Sequence, residues 1–298
     1  MNRREFINKS AAVLALSTLV GQQACADSAA KGNKGRIGIQ LYSVKDELPK
    51  DFMGTLKKIA AMGYAEVEPY GFKGDKFLNH TMKEFKAIVN DLGMTISSVH
   101  SGSGIFPEDT NAKEWDFWKK VSTELKSGGG KWAVQAGYPG AKTLDDLKKI
   151  GEHFNRIGEV CKKSAGIKFA YHNHDAELKK LDNEVILEYL IKNTDPKLVN
   201  FQLDLGHVVN GNGSPDACIQ LLRNYPKRIA MWHASDFDAT NRNYTDVGKG
   251  SVPYPALFEL AASSGLQVLT VEQETDGDIF ASCKVDFDYL KQFKWTKV

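Results

Sequence analysis

The sequence predicts a single (β/α)8 barrel, and three observations carry that prediction. From Arg36 onward, eight short apolar, β-branched runs alternate with longer amphipathic stretches. Their starts lie 28 to 38 residues apart, room for one strand and one helix per unit. No Pro- or Ser-rich linker interrupts residues 36–298, so the units belong to one domain. A chain of 298 residues, 42% hydrophobic and 26% charged, supplies the core that such a barrel buries. The alternative, a doubly wound open sheet, is expected to carry a glycine-rich dinucleotide turn after its first strand. Gln40-Leu41-Tyr42-Ser43 is not one.

In chain order the expected strands are Ile37–Leu41, Ala65–Glu68, Thr95–His100, Trp132–Gln135, Ile167–His172, Val199–Asp204, Ile229–His233 and Gln267–Glu272. Between them, Leu56, Ile59 and Ala60 step toward Gly63 at helical spacing. Leu144, Leu147, Ile150, Phe154, Ile157 and Val160 do the same toward Gly166. Gly63, Gly93, Gly166 and Gly265 stand just before the next strand, at the left-handed position that closes a helix. Thr143, ahead of Asp145 and Asp146, is the expected N-cap of the longest helix.

Ahead of the barrel, residues 1–26 read as an export leader of twin-arginine type. Arg3 and Arg4 precede a short apolar stretch, Ala11–Val20, and Ala24-Cys25-Ala26 fits a small-residue cleavage site. A lipid anchor at Cys25 is the other outcome of that segment. Residues 27–35 form a flexible lead-in, and the expected address is the periplasm. Removing the leader leaves 36 basic and 36 acidic residues, a formal charge of zero. That balance argues against nucleic acid as a partner, since phosphate binding demands a basic surface. The mature chain has no apolar run long enough to span a bilayer. It keeps three cysteines, so at least one is unpaired and no disulfide framework is expected.

In a (β/α)8 barrel the chemistry sits at the C-terminal ends of the strands. Those ends carry Gln40 and Tyr42, Glu68, His100, Gln135, His172 and His174, Asp204 and His207, His233, and Glu272 with Glu274. Five of the chain's seven histidines fall there, with only His80 and His153 elsewhere. One such histidine is an ordinary buried residue; five on one rim point to a site. His172, Asp204, His233 and Glu272 offer two imidazoles and two carboxylates, a mixed donor set suited to a divalent ion with positions open for substrate oxygens.

The segments Leu203–His207, Trp232–Asp236 and Val271–Glu274 resemble the last three strands of the xylose isomerase-like, or sugar phosphate isomerase/epimerase, barrels. So do the opening Ile37–Ser43, Gly63-Tyr64 leading into Val67-Glu68, Tyr171–Asp175 and Val247–Gly250. The resemblance implies one divalent metal, Mn, Co, Zn or Mg, held at the ends of strands five to eight. Asp204, His233 and Glu272 match three ligand positions. The fourth, often a glutamate in the epimerases, falls on His172-Asn173-His174; His172 ends the strand and is taken as the ligand, with His174 able to replace it. His207 matches a substrate-contacting histidine.

Losing the strand-five glutamate removes one of the two carboxylates with which isomerases and epimerases shuttle a carbon-bound proton. One carboxylate and several histidines suit β-elimination, or the reverse hydration. The resemblance implies that dehydratases of keto-inositols also carry histidines here. The expected function is therefore a lyase or hydratase on a keto-sugar or 3-keto-glycoside, with a sugar isomerase/epimerase as the alternative and a non-catalytic sugar-binding barrel behind both. Glu272, His174 or His207 is expected to remove the proton, and His100 to protonate the departing oxygen. Gln40, Tyr42, Glu68 and Lys249 are expected to contact the sugar, with Glu68 equally readable as a partner that supports His100 or Lys168. Trp132, Tyr171, Trp232 and Tyr70 are expected either to stack on it or simply to pack. An exported, unphosphorylated substrate calls for an upstream oxidation, and a glycoside-oxidising dehydrogenase is the expected functional partner.

Overall fold

The computed structural model describes residues 35–102, 112–137, 140–275 and 277–297. The expected leader with Cys25, and the lead-in up to residue 34, lie outside the described residues. Parallel strands β1 (Ile37–Gln40), β2 (Glu66–Glu68), β3, β4 (Trp132–Ala136), β5 (Lys168–His172), β6 (Val199–Asp204), β7 (Ile229–Ala234) and β8 (Val268–Val271) follow one another around the barrel. β8 pairs back onto β1, Leu269 beside Ile37. β3 runs in two pieces, Thr95–Ile96 against β2 and Ser98–Ser101 against β4. The sequence implies one unbroken run here. Ser97 interrupts it yet still bonds both neighbours, donating to the Val67 carbonyl at 3.3 Å and accepting from Lys131 at 3.1 Å.

The helices follow the expected punctuation. Helix α1 (Phe52–Met62) ends at Gly63 and α2 is Met82–Asp91. Next come α3 (Ala112–Gly128) and α4 (Leu144–Ala165). Thr143 caps α4 in a capping box with Asp146, satisfying two backbone N–H groups that the first turn leaves unpaired. Gly166 closes α4 with a φ of 69°, a left-handed turn that costs glycine nothing. α5 is Ile186–Lys192. After β6 the chain makes two helices where one was expected, α6 (Leu205–Asn212) and α7 (Asp216–Asn224), divided at Gly213. α8 (Tyr254–Ser264) and α9 (Ile279–Leu290) complete the ring.

Alternation along the strands builds two cores. Ile39, Val67, Val99, Phe169, Leu203, Trp232 and Leu269 belong to the large core shared with the helices. A separate small cluster, including Trp132, Val134, Ala170, Met231 and Val268, plugs the barrel itself. Two residues further along several of the same faces the apolar plug gives way to polar side chains: His172 follows Ala170, and His233 follows Met231. That switch sets the level of the site. No helix among the described residues is long and apolar enough to cross a membrane.

Candidate active site

Strand register brings the polar layer together. Gln40 lies beside Glu68 on β1 and β2, Gln202 beside His172 on β6 and β5, and Asp204 beside His233 on β6 and β7. An irregularity between Phe201 and Gln202 shifts the β6–β7 pairing by one residue, which is what aligns Asp204 with His233.

Asp204 also ends its strand as the N-cap of α6. Its Oδ1 accepts from the His207 backbone N–H at 2.8 Å and from the Ser235 hydroxyl at 2.5 Å. Its Oδ2 is buried without a partner and lies 4.0 Å from His233 Nδ1. The Glu272 Oε2 stands 2.7 Å from that same Nδ1 and 3.8 Å from His172 Nε2. One donor atom from each of His172, Asp204, His233 and Glu272 lies within 4.8 Å of all the others. An orphaned carboxylate oxygen costs about 1–3 kcal/mol or more in a dry site unless something positive satisfies it. The four residues therefore fit one divalent ion, with Asp204 Oδ2, Glu272 Oε2, His233 Nδ1 and His172 Nε2 as the matching donors.

The imidazoles are tuned accordingly. Burial, with His233 and His100 nearby, keeps His172 well below the usual histidine range, so its lone pair is available. Burial works against a charge on His233 too, but Glu68 and Glu272 flank it and raise it to about 10 in the absence of an ion. The Glu68 Oε1 lies 2.7 Å from His233 Nε2 and thereby orients the ring so that Nδ1 faces Asp204 and Glu272. The same oxygen accepts from Gln40 Nε2 at 2.8 Å and sits 3.0 Å from His100 Nε2, while Oε2 accepts from Gln202 at 3.0 Å.

Two of the expected sugar contacts lie inside this network. Gln40 and Glu68 are fully buried, Gln40 bonding Glu68 and the Tyr42 backbone N–H, and Glu68 meeting His233, His100 and Gln202 as well. Lys249 stands apart from them: it is exposed, pairs with Asp246 at 2.8 Å, and lines neither cavity beside the site. Trp132, Tyr171 and Trp232 are packed in the cores, not presented to ligand. Tyr42 and Tyr70 do face a cavity.

Two cavities open onto the donors. The larger, about 590 Å³, is lined by His174, His207, Glu272 and Glu274 together with Lys45 and Asp46. The smaller, about 360 Å³, is lined by His100, His172, Tyr42, Tyr70 and Phe72, again with His174 and Glu272. His207 is held on both ring nitrogens, Nδ1 by the Tyr244 hydroxyl at 2.5 Å and Nε2 by Glu274 at 3.2 Å. Despite burial, Asp204 and Glu274 raise it to about 9. Neither ring nitrogen of His174 hydrogen-bonds a described residue, and burial with His207 nearby lowers its proton affinity. Glu177, itself buried, accepts the His174 backbone N–H at 3.2 Å and so fixes the turn.

Gln202, Ser235 and Tyr244 are the functional neighbours that sequence reasoning missed. Gln202 was findable, because it precedes Asp204 by two residues and shares its face. Tyr244 belongs to a hairpin, Asp236–Asp238 with Asn243–Thr245, that no periodic signal announces.

The sequence profile of the xylose isomerase-like TIM barrel matches residues 56–297. The chain belongs to this family. A solved sugar phosphate isomerase/epimerase from Parabacteroides distasonis is 30% identical, superposes with a TM-score of 0.75, and is matched over 88% of this chain and 95% of its own. An inosose dehydratase of Geobacillus kaustophilus is 25% identical over 228 residues, 68% of this chain and 70% of that protein. Against several other bacterial inosose dehydratases the chain spans about half their length. The 3-keto-D-glucoside 4-epimerase of Escherichia coli, at 19% identity and a TM-score of 0.63 over 87% of this chain and 100% of its own, shares the fold. Within the xylose isomerase-like barrels, then, this one stands beside sugar lyases and sugar epimerases.

Proposed function

We propose that this protein is a divalent-metal-dependent lyase or hydratase that removes the proton alpha to the carbonyl of a keto-sugar. The chain is a sugar-modifying enzyme of the lyase or isomerase/epimerase kind, and one observation favours the lyase. Beside the four-donor set stands an imidazole, His174, whose ring nitrogens hydrogen-bond no described residue and so are open to act on a substrate. The similarity to inosose dehydratase points the same way.

His172, Asp204, His233 and Glu272 would hold a divalent ion, one of Mn, Co, Zn or Mg, and its chemistry there would be Lewis-acid polarisation of the ketone. His174 takes the alpha proton at a ring nitrogen. The carbon–hydrogen electrons become the new double bond and the beta carbon–oxygen bond breaks. His100, anchored through Nε2 on Gln202 and Glu68, keeps Nδ1 for the proton that the departing oxygen collects. His207, clamped by Tyr244 and Glu274, donates to a sugar oxygen. In hydration the same groups act in reverse.

The export leader read from residues 1–26 supports an unphosphorylated substrate met outside the cytoplasm, supplied as a ketone by an exported dehydrogenase. A sugar isomerase/epimerase is the second reading, favoured by the 30% identity to the Parabacteroides protein. Incubating the metal-loaded protein with a keto-inositol and with methyl 3-keto-glucoside in deuterated water separates them by NMR. The lyase reading expects an enone, or the hydrate of one, with loss of water or methanol. Recovery of the starting mass plus deuterium at an inverted centre gives the site to the epimerase.

A further inference from the structure

We infer that the substrate is a glycoside whose second ring rests on an aromatic shelf formed by Tyr42, Tyr70 and Phe72, so that the departing oxygen carries that ring. The inference rests on the keto-sugar reading and adds what is attached to the sugar.

The two cavities meet at Tyr42, His174 and Glu272, so a molecule reacting above Glu272 has room on both sides. Their walls differ in kind. The larger offers Lys45, Asp46, Glu47 and Glu274, partners for hydroxyl groups. The smaller offers three aromatic rings and the bare backbone of Gly71 and Gly102. A Cβ built on Gly71 meets no described atom within 4 Å.

Tyr42 stands out in this lobe: it is 48% exposed, and only Met53 joins it among the exposed large apolar side chains described. Local structure puts it there deliberately. The Gln40 Oε1 accepts the Tyr42 backbone N–H at 3.0 Å, tightening the turn after β1 so that Leu41 and Val44 are buried while Tyr42 projects. Tyr70 meets it at 5.1 Å and 86°, a perpendicular pair that fixes the ring. Phe72 is held in turn by Phe77 at 4.8 Å and Phe117 at 5.6 Å.

Rings held this way take the C–H face of a second six-membered ring, aryl or pyranose, against their negative faces. His100 lines the same lobe. A leaving group seated on the shelf therefore breaks its carbon–oxygen bond beside the imidazole that protonates it. The electron pair of that bond goes to the oxygen, the proton comes from His100, and the ring leaves as its alcohol.

The test compares kcat/KM of the metal-loaded enzyme on three 3-keto-glucosides, methyl, benzyl and glucosyl, in wild type, Tyr70→Ala and Tyr42→Ala. Benzyl and methyl alcohols are similar leaving groups, so intrinsic reactivity does not separate them. The inference expects benzyl or glucosyl to be preferred over methyl by about tenfold or more, equivalent to about 1.4 kcal/mol. It further expects the ratio to fall toward one in both variants; which ring is preferred shows whether the shelf takes aryl or sugar. The ratio within each variant is insensitive to general loss of fold, and half-exposed Tyr42 can be truncated without opening the core. Equal use of all three glucosides by the wild type, or a preference that survives both truncations, overturns the shelf and leaves the keto-sugar reading standing. Failure to act on any of them, or on a keto-inositol, overturns both.

Discussion

Asp204 shows how one side chain can serve fold and chemistry at once. Its Oδ1 caps α6 and binds Ser235, which leaves Oδ2 buried and bare beside His233 and Glu272. Asp204→Asn keeps the cap acceptor but removes the charge. It is expected to lower bound metal below one-tenth of the wild-type content, measured on the purified protein by elemental analysis, and to cost more than a hundredfold in kcat. Melting should shift little, because the cap survives. Much of this residue's role was legible in the sequence: a carboxylate at a strand end, three residues before a histidine. Glu68 reads two ways in the sequence, as a sugar contact or as a partner to His100, and its Oε1 lies 3.0 Å from His100 Nε2. A strand-end glutamate looks the same in sequence whether it faces ligand or sits under a histidine, and only the register of Gln40, Glu68 and His233 decides.

At the level of elements, the loops and helices above the barrel hold the site by a few buried ties. Asp286 on α9 accepts from Val247 N–H at 2.7 Å and from Gln273 Nε2 at 2.8 Å, pinning both the segment after the 236–245 hairpin and the residue between Glu272 and Glu274. Burial pushes Asp286 up to about 7. The folded protein therefore holds this proton more tightly than the unfolded chain, and stability falls as pH rises from about 4 to about 7. Asp286→Asn should flatten that part of the curve of denaturation midpoint against pH, followed by circular dichroism; an unchanged slope would remove Asp286 as its source. Gly158 in α4 makes a different kind of contact. Its position faces the Leu198 carbonyl so closely that an added Cβ would lie 2.3 Å from the oxygen. Gly→Ala inside a helix usually stabilises by about 1 kcal/mol. Here Gly158→Ala is expected to destabilise by about 1–3 kcal/mol, a drop of several degrees in Tm by calorimetry.

Helices and strands with strong periodicity were legible because burial on one face writes itself into the spacing; α4 with its Thr143 cap and Gly166 stop is the clearest instance. What stayed hidden was short and irregular: the break at Ser97, the division of α6 from α7 at Gly213, and the hairpin that brings Tyr244 to His207. The break at Ser97 and the hairpin are set by tertiary pairing rather than by local pattern, whereas Gly213 closes α6 with a left-handed φ of 78°.

Across the whole molecule, the barrel stacks a dry plug below a polar layer. That layer gathers Glu68, Asp204 and Glu272 without a lysine or arginine among their described ion-pair partners. Among the described residues, histidines are the partners of these charges. Loading a divalent ion should therefore raise Tm in a concentration-dependent way, by RT ln(1 + [L]/Kd), and chelation should reverse it. A Tm indifferent to metal would mean that the donors are satisfied among themselves.

In the proposed reaction His174 moves a carbon-bound proton beside the four-donor set. The most direct measurement is the rate at which the alpha proton of a keto-sugar disappears from the NMR spectrum in deuterated water, for metal-loaded wild type and His174→Ala at equal metal content. A loss of about 10²–10⁴-fold is expected in the variant, with metal retained. Exchange at the wild-type rate in His174→Ala would contradict it and return the base to another group at the rim.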